Sequence, residues 1–224
     1  VEIPIEKIPT IQKNMIKKVH LAGKRVITAT EMLESMTHNP RPTRAEVSDV
    51  ANAVYDGTSC VMLSGETSVG DYPIEVVKTM ARICKDTEAN IDYKANFKNI
   101  NFSITNIADA LSHSSVNAAF DLNAASIVVC TKTGKTAMMV SRFRPSMPII
   151  GLVTDTKAYH QLAMSWDVFP YLMDEYYSTE ELSIRAIDKA KTMSYVKKND
   201  ILIVVAGIAR QIDGTNLMRI EKVR

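Results

Sequence analysis

The sequence has 224 residues and a mass of 24.9 kDa, which is enough chain for one or two domains. Lysine and arginine total 27 and aspartate and glutamate total 25, so the net charge of +2 argues against binding of nucleic acid through bulk charge. No run of about 18 apolar residues is present, which excludes a transmembrane helix. Cys60, Cys84 and Cys130 are too few and too far apart for a disulfide framework, and we expect reduced, buried thiols in a cytoplasmic protein.

The first ninety residues alternate between helical and strand patterns. The predicted elements are a helix over 5–21, a strand over 25–30, a helix over 44–55, a strand over 60–64, a loop over 65–72 and a helix over 73–91. Thr43 and Glu46 have the spacing of a capping box. Alternation of this kind indicates parallel strands joined by crossover helices. Two strands cannot form a stable sheet alone, so we expect an incomplete domain.

The alternation breaks over residues 92–103, which are polar and irregular, and we place the domain boundary there, giving domains 1–91 and 92–224. Beyond it the predicted elements are helix 104–122, strand 126–131, helix 136–143, strand 148–154, helix 157–166, strand 168–172, helix 179–196, strand 200–206 and strand 216–223. In the first of these helices we expect five side chains to face inward: Ile107, Ala108, Leu111, Ala118 and Leu122. The pattern predicts a three-layer α/β domain with a mixed, mostly parallel sheet.

Polar side chains follow both strands of the first domain. Thr30 comes at the end of one strand, and Ser64 and Glu66 follow the other. Functional groups in parallel α/β folds gather at such strand ends, so we expect these hydroxyls and this carboxylate to face one pocket. Helix capping by Thr30 and by Thr67 is the alternative interpretation.

A second candidate site is the corner over residues 131–136, which follows a buried strand and opens a helix. Backbone N–H groups at such a corner point outward, and lysine and hydroxyl side chains add donors for a phosphate. The corner ends like a Walker A loop, but Val129 stands where that loop requires glycine. The residues alone leave two interpretations open, a phosphate site or a polar turn with an N-cap.

The loop between the last two strands is a weaker candidate. Arg210 in this loop could meet a second anion, although a plain hairpin loop is the simpler interpretation. The four histidines, His20, His38, His113 and His160, have no metal-ligand spacing.

Several long motifs then follow one another at a spacing found in one family. They are VITATEMLESM at 26–36, PRPTRAE at 40–46, SDVANAV at 48–54, MLSGET at 62–67 and GTNLM at 214–218. On these segments the sequence resembles the C-terminal part of pyruvate kinase. The resemblance implies the last two strands and helices of a (β/α)8 barrel, incomplete here, followed by that family's C-terminal regulatory domain. Because the sequence starts at Val1, we expect a piece of a longer protein.

Pyruvate kinases transfer the phosphoryl group of phosphoenolpyruvate to ADP, giving pyruvate and ATP, with Mg²⁺ and commonly K⁺. The resemblance implies that Thr30 relays a proton through water to the enolate and that Ser64 lies near this relay. Glu31 stands where the family commonly has glutamine. The metal ligands and the catalytic lysine would lie upstream of Val1, so we expect no metal in this chain and no turnover by it alone.

The resemblance also implies an effector site. The family holds an effector phosphate, commonly that of fructose 1,6-bisphosphate and otherwise that of AMP or a sugar monophosphate, on the loop matched here by Thr131, Lys132, Thr133, Gly134, Lys135 and Thr136. At the second phosphate this sequence has no tryptophan, and Leu182 falls near the family's arginine, with Arg185 one turn away. The resemblance further implies a homo-oligomer. The alternative hypothesis is a stand-alone, non-catalytic module that binds a phosphorylated metabolite and mediates oligomerisation.

Overall fold

The computed structural model describes residues 3–29, 31–174, 178–207 and 214–224. The chain divides into two units, Val1–Asp92 and Tyr93–Arg224. The division falls at the start of the polar stretch over 92–103. Among these described residues, no helix has the length and apolar character needed to cross a membrane.

The first unit is built around one pair of short parallel strands. Its elements are α1 (Ile8–Leu21), β1 (Ile27–Thr28), α2 (Arg44–Tyr55), β2 (Cys60–Val61), α3 (Gly65–Ser68) and α4 (Pro73–Ala89), with 3-10 turns at Ile5–Lys7 and Glu34–Thr37. In the sheet Ile27 lies opposite Cys60. Both strands are shorter than predicted, because each one pairs only with the other in the described part of the unit. The predicted loop over 65–72 is wrong in its first half, which forms α3.

The capping box at the start of α2 is confirmed. The Thr43 hydroxyl accepts a hydrogen bond from the Glu46 N–H at 3.3 Å, and the Glu46 carboxylate accepts one from the Thr43 N–H at 2.7 Å. Burial opposes ionisation of Glu46, but hydrogen bonds from Ser35 and Thr43 outweigh it and lower the pKa of this carboxyl. The core of the unit lies between α2, α4 and the chain after β1, and consists of Met32, Leu33, Met36, Val50, Ala53, Val76 and Met80.

The second unit is a three-layer α/β domain, as predicted. Its elements are α5 (Tyr93–Asn99), α6 (Ile107–Asp121), β3 (Ser126–Thr131), α7 (Lys135–Ser141), β4 (Ile149–Val153), α8 (Thr156–Leu162), β5 (Val168–Leu172), α9 (Thr179–Thr192), β6 (Ile201–Ala206) and β7 (Leu217–Lys222). The strand order is β5-β4-β3-β6-β7. All neighbouring pairs are parallel except β6 and β7. The predicted mixed, mostly parallel sheet is therefore confirmed.

Strand β3 buries both of its faces, as expected for a central strand. Ile127 and Val129 pack with α6, α7 and α8, whereas Val128 and Cys130 pack with α9 on the other face. Burial raises the pKa of the Cys130 thiol to about 12, which makes it unreactive at neutral pH. The prediction of buried thiols is wrong for Cys60 and Cys84, which are partly exposed.

The prediction of irregular structure over 92–103 is wrong for Tyr93–Asn99, which form α5. A single side chain explains the difference. Phe97 is 6% exposed and packs against Phe120 at 5.5 Å and Phe143 at 6.1 Å between ring centroids, and it stacks on His113 at 4.9 Å. Tertiary packing of this ring holds a helix that the polar sequence around it does not favour.

The predicted inner face of α6 is wrong for Ile107 and Leu122, whereas Ala108, Leu111 and Ala118 are partly buried. Ile107 is 72% exposed and Leu122 is 40% exposed, whereas the buried face consists of Asp109, Ser112, Ser115, Val116, Ala119 and Phe120. Small side chains let α6 approach the sheet closely, and the charge of the buried Asp109 carboxylate is balanced by an arginine. Asp109 forms an ion pair with Arg142 at 3.5 Å, with both side chains about 5% exposed.

Candidate functional site

The strand order reverses between β3 and β6, because β4 and β5 continue on one side of β3 whereas β6 lies on its other side. From β3 the chain enters α7 on one face, whereas α9 on the other face leads into β6. Open α/β sheets bind ligands in the crevice outside the strand ends at such a point. The 131–136 corner joins β3 to α7 and therefore lies here.

Part of this corner faces solvent. Lys132, Thr133 and Lys135 are exposed, whereas Thr131 and Thr136 are each 8% exposed. Two ammonium groups and one hydroxyl are thus presented outward from a loop of six residues. Such a set can bind an anion with several oxygen atoms through charge-assisted hydrogen bonds.

Gly134 determines the shape of the corner. Its φ is +79°, in the left-handed region, and a Cβ at this position would lie 3.1 Å from Leu162 Cγ. Gly134 is also the N-cap of α7, so this helix begins without a side-chain cap. The turn of the alternative interpretation is thus capped by Gly134, and capping uses none of the polar side chains of the corner.

One residue at this site was missed from the sequence. The Thr136 and Thr215 hydroxyl oxygens lie 2.6 Å apart, and Thr215 is 4% exposed. This hydrogen bond joins the first turn of α7 to the chain that enters β7. The GTNLM motif contains Thr215, but nothing in the motif indicates its partner. Arg210, considered for a second anion, lies outside the described residues.

In the second-phosphate region, the structure places both Leu182 and Arg185 in contacts within the chain. Leu182 is 1% exposed and belongs to the core under α9. Arg185 donates a hydrogen bond to the Glu181 carboxylate at 2.6 Å and another to the Asp174 carbonyl at 3.2 Å. Its guanidinium is therefore already engaged within the helix and with the loop before it.

The strand ends of the first unit are arranged differently from the prediction. Ser64 is exposed and precedes α3 without a side-chain capping bond. Glu66 does not face a pocket with it, because its carboxylate is 2% exposed and accepts hydrogen bonds from the N–H groups of Ser64 at 2.6 Å and Leu33 at 3.2 Å. Thr67 caps no helix, and its hydroxyl donates to the Ser64 carbonyl at 3.2 Å.

Thr30 lies outside the described residues, and only its neighbours can be described. The Thr28 hydroxyl is buried and donates to the Thr58 hydroxyl at 2.8 Å, which ties β1 to the start of β2. Glu31 is exposed and has a φ of +36°. Within the described ranges, no three histidine, cysteine, aspartate or glutamate side chains converge as they would to hold a metal ion.

Comparison with known proteins gives two family matches. The family model for the pyruvate kinase barrel domain matches residues 1–77, and that for the pyruvate kinase alpha/beta domain matches residues 109–221. The pyruvate kinase of Clostridium acetobutylicum is 46% identical over all of this chain and 48% of that protein. The pyruvate kinase of Geobacillus stearothermophilus is 44% identical over 99% of this chain and 38% of that protein.

Solved structures give the same result. A crystal structure of a pyruvate kinase from Cryptosporidium parvum superimposes with a TM-score of 0.93 at 40% identity, covering 100% of this chain and 45% of that one. A Cryptosporidium parvum pyruvate kinase in complex with ADP gives a TM-score of 0.88. The chain spans about half the length of these relatives or less. Because the match to the alpha/beta domain alone covers half of the sequence, the chain belongs to the pyruvate kinase family.

Proposed function

We propose that this chain is the C-terminal portion of a pyruvate kinase and that its second unit binds an effector phosphate at the 131–136 corner. The observation that carries the proposal is the position of this corner at the carboxyl end of β3, where the strand order reverses between β3 and β6, with Lys132, Thr133 and Lys135 exposed. The ligand class is a phosphorylated metabolite, with fructose 1,6-bisphosphate, AMP and ribose 5-phosphate as candidates.

Calorimetric titration of the chain with these three metabolites tests the effector site. We expect saturable binding of one of them, and loss of that binding in Lys132→Glu, because the substitution places a negative charge against the phosphate. Lys198→Glu is the matched control, since Lys198 is also exposed but precedes the amino end of β6, whereas the corner follows the carboxyl end of β3. Equal affinities of Lys132→Glu and the unmodified chain would contradict the assignment.

We propose that the first unit contributes Thr30 and Ser64 to the active site of the whole protein. That protein would transfer the phosphoryl group of phosphoenolpyruvate to ADP, and the Cryptosporidium relative solved with ADP supports the nucleotide. Thr30 would relay a proton through water to the enolate, with the exposed Ser64 hydroxyl beside it. A threonine hydroxyl is too weak an acid to donate the proton without such a relay.

The whole enzyme would use Mg²⁺ and K⁺, and the family resemblance implies no ligand for either ion among the residues of this chain. Phosphoryl transfer depends on metal ions and cations placed around the transferred group. We therefore expect no turnover of phosphoenolpyruvate by this chain alone. A coupled assay with lactate dehydrogenase, with and without Mg²⁺, tests this expectation, and magnesium-dependent turnover would contradict it.

We also propose that the protein is cytoplasmic and forms a homo-oligomer, as the family resemblance implies. Light scattering after gel filtration measures the oligomeric state directly. A single chain has a mass of 24.9 kDa. A mass of twice that value or more supports assembly by this portion of the enzyme, and the single-chain mass contradicts it.

A further inference from the structure

We infer that Thr215 is a positioning residue for the anion site, acting through Thr136. This inference rests on the proposed binding of a phosphate at the 131–136 corner. The two hydroxyl oxygens lie 2.6 Å apart, and the residues are 8% and 4% exposed. A bond this short between two buried hydroxyls fixes both side-chain rotamers.

The proton count of this pair explains how it serves a ligand. Two hydroxyls carry two protons, and either oxygen can be the donor in the bond between them. When Thr215 donates, the Thr136 oxygen accepts, and the Thr136 proton stays available. Because Thr136 belongs to the corner, that proton can be donated to a phosphate oxygen. The chain from Thr215 to Thr136 to phosphate is cooperative, since each hydrogen bond polarises the next.

Thr215 is itself held in place by the backbone at the end of β6. The Asn216 N–H donates to the Ala206 carbonyl at 3.1 Å, and Ala206 pairs with Leu217 across the antiparallel ladder. A Cβ on Gly207 would lie 2.5 Å from the Gly214 carbonyl oxygen, so these two backbone segments are in close contact. Thr215 therefore lies where the segments after β6 and before β7 are in close contact. Its hydroxyl links the 131–136 corner to these two segments.

Titration of the whole chain with inorganic phosphate and with fructose 1,6-bisphosphate tests the inference. Thr215→Val keeps the shape of the side chain and removes the hydroxyl, and we expect it to lower the affinity for the bound anion about tenfold. Thr215→Ser restores the hydroxyl, and we expect its affinity to return to within about threefold of the unmodified chain. Thr215→Ala is a second variant that lacks the hydroxyl, for use if Thr215→Val does not fold.

Ser141→Ala is the matched control. Ser141 lies at the other end of α7, is 2% exposed, and donates a buried hydrogen bond to the Trp166 carbonyl at 2.7 Å. We expect this variant to unfold at a lower temperature and to bind the anion as tightly as the unmodified chain. Thus a purely structural loss of a buried hydroxyl is separated from a loss at the site.

The outcomes separate the two proposals. If the unmodified chain binds an anion and Thr215→Val binds it equally well, the role of Thr215 is wrong while the proposed function stands. If the unmodified chain binds neither of these probes and neither AMP nor ribose 5-phosphate, the proposed phosphate site is wrong, and the role of Thr215 is wrong with it. Weaker binding by Thr215→Val, rescue by Thr215→Ser and unchanged binding by Ser141→Ala support the inference.

Discussion

The Glu66 carboxylate accepts a hydrogen bond from the Leu33 backbone N–H at 3.2 Å, across 33 residues of sequence. Its second oxygen accepts from the Ser64 N–H at 2.6 Å. A side chain that is 2% exposed therefore joins the chain after β1 to the chain after β2. Ser64 is itself one of the two donors, so Glu66 stabilises the chain at the end of β2.

Glu66→Gln should destabilise the first unit. An amide has only one acceptor oxygen, and its NH₂ group would face one of the two backbone donors, so we expect a loss of about 2 kcal/mol. Denaturation followed by circular dichroism measures the loss, and hydrogen exchange at the Leu33 and Ser64 amides locates it. Glu75→Gln is the control, because this carboxylate is about half exposed and pairs with Lys78 on the surface. Equal stability of the two variants would contradict the role of Glu66.

Gly134→Ala should destabilise the second unit by about 1–2 kcal/mol, because the new Cβ would be strained at positive φ and crowd Leu162. Gly214→Ala is the control, since a Cβ there would meet nothing within 4 Å. Trp166 is the only tryptophan of the chain and lies in this unit, so its fluorescence reports the unfolding of both variants. A Gly134→Ala variant as stable as Gly214→Ala would contradict the assigned strain.

Asp109→Asn should cost about 3 kcal/mol of unfolding free energy, because it leaves the Arg142 guanidinium buried without its counter-charge. The Asp109 carboxylate also accepts hydrogen bonds from the Thr105 N–H at 3.2 Å and from the Asn106 side-chain amide at 2.9 Å. Both bonds go to Oδ2, so an asparagine whose oxygen stays there turns its NH₂ group toward the Arg142 guanidinium. Urea denaturation followed by Trp166 fluorescence measures the change.

Asp121→Asn on the same helix is the control for this prediction. Asp121 is exposed and accepts only a surface hydrogen bond from Asn117 among those described, so we expect a change below about 0.5 kcal/mol. A similar loss of unfolding free energy in the two variants would contradict the stabilising role of the buried Asp109–Arg142 pair.

His113 should make the second unit less stable in acid. Burial lowers the pKa of this imidazole below its ordinary value of 6.5, and the positive charge of Arg142 lowers it further. The unfolded chain therefore binds a proton more readily than the folded chain, so stability falls as the pH drops below about 6.5. Thermal unfolding from pH 8 to pH 5 measures this slope. His113→Gln should flatten it, and His160→Gln, at an exposed histidine, should not.

Local signals explain which elements could be predicted from the sequence. Strands β3 and β5 and helix α2 have the predicted bounds. The β-branched run at 127–129, the apolar and aromatic run at 168–172 and the Thr43 capping box mark them directly. Helix α5 was missed, because Phe97 holds it through contacts with rings distant in sequence. The buried face of α6 was misjudged, because the partner of Asp109 lies 33 residues further along the chain.

The same distinction applies to the candidate site. Residue types and order indicate the 131–136 corner as a candidate, since a strand end followed by lysines and hydroxyls is a local pattern. Two features depend on tertiary contacts and could not be predicted. Thr215 meets Thr136 across 79 residues, and the Glu66 carboxylate turns inward onto backbone N–H groups instead of facing solvent.

The most direct test of the central claim is a map of backbone amide chemical shifts of the ¹⁵N-labelled chain during titration with fructose 1,6-bisphosphate or, if that does not bind, with AMP or ribose 5-phosphate. The account predicts saturable shifts that are largest at the amides of residues 131–136 and at Thr215, with little change in the first unit. Saturable shifts centred elsewhere, or no shifts with any of the three, would contradict the assignment of a phosphate site to the corner between β3 and α7.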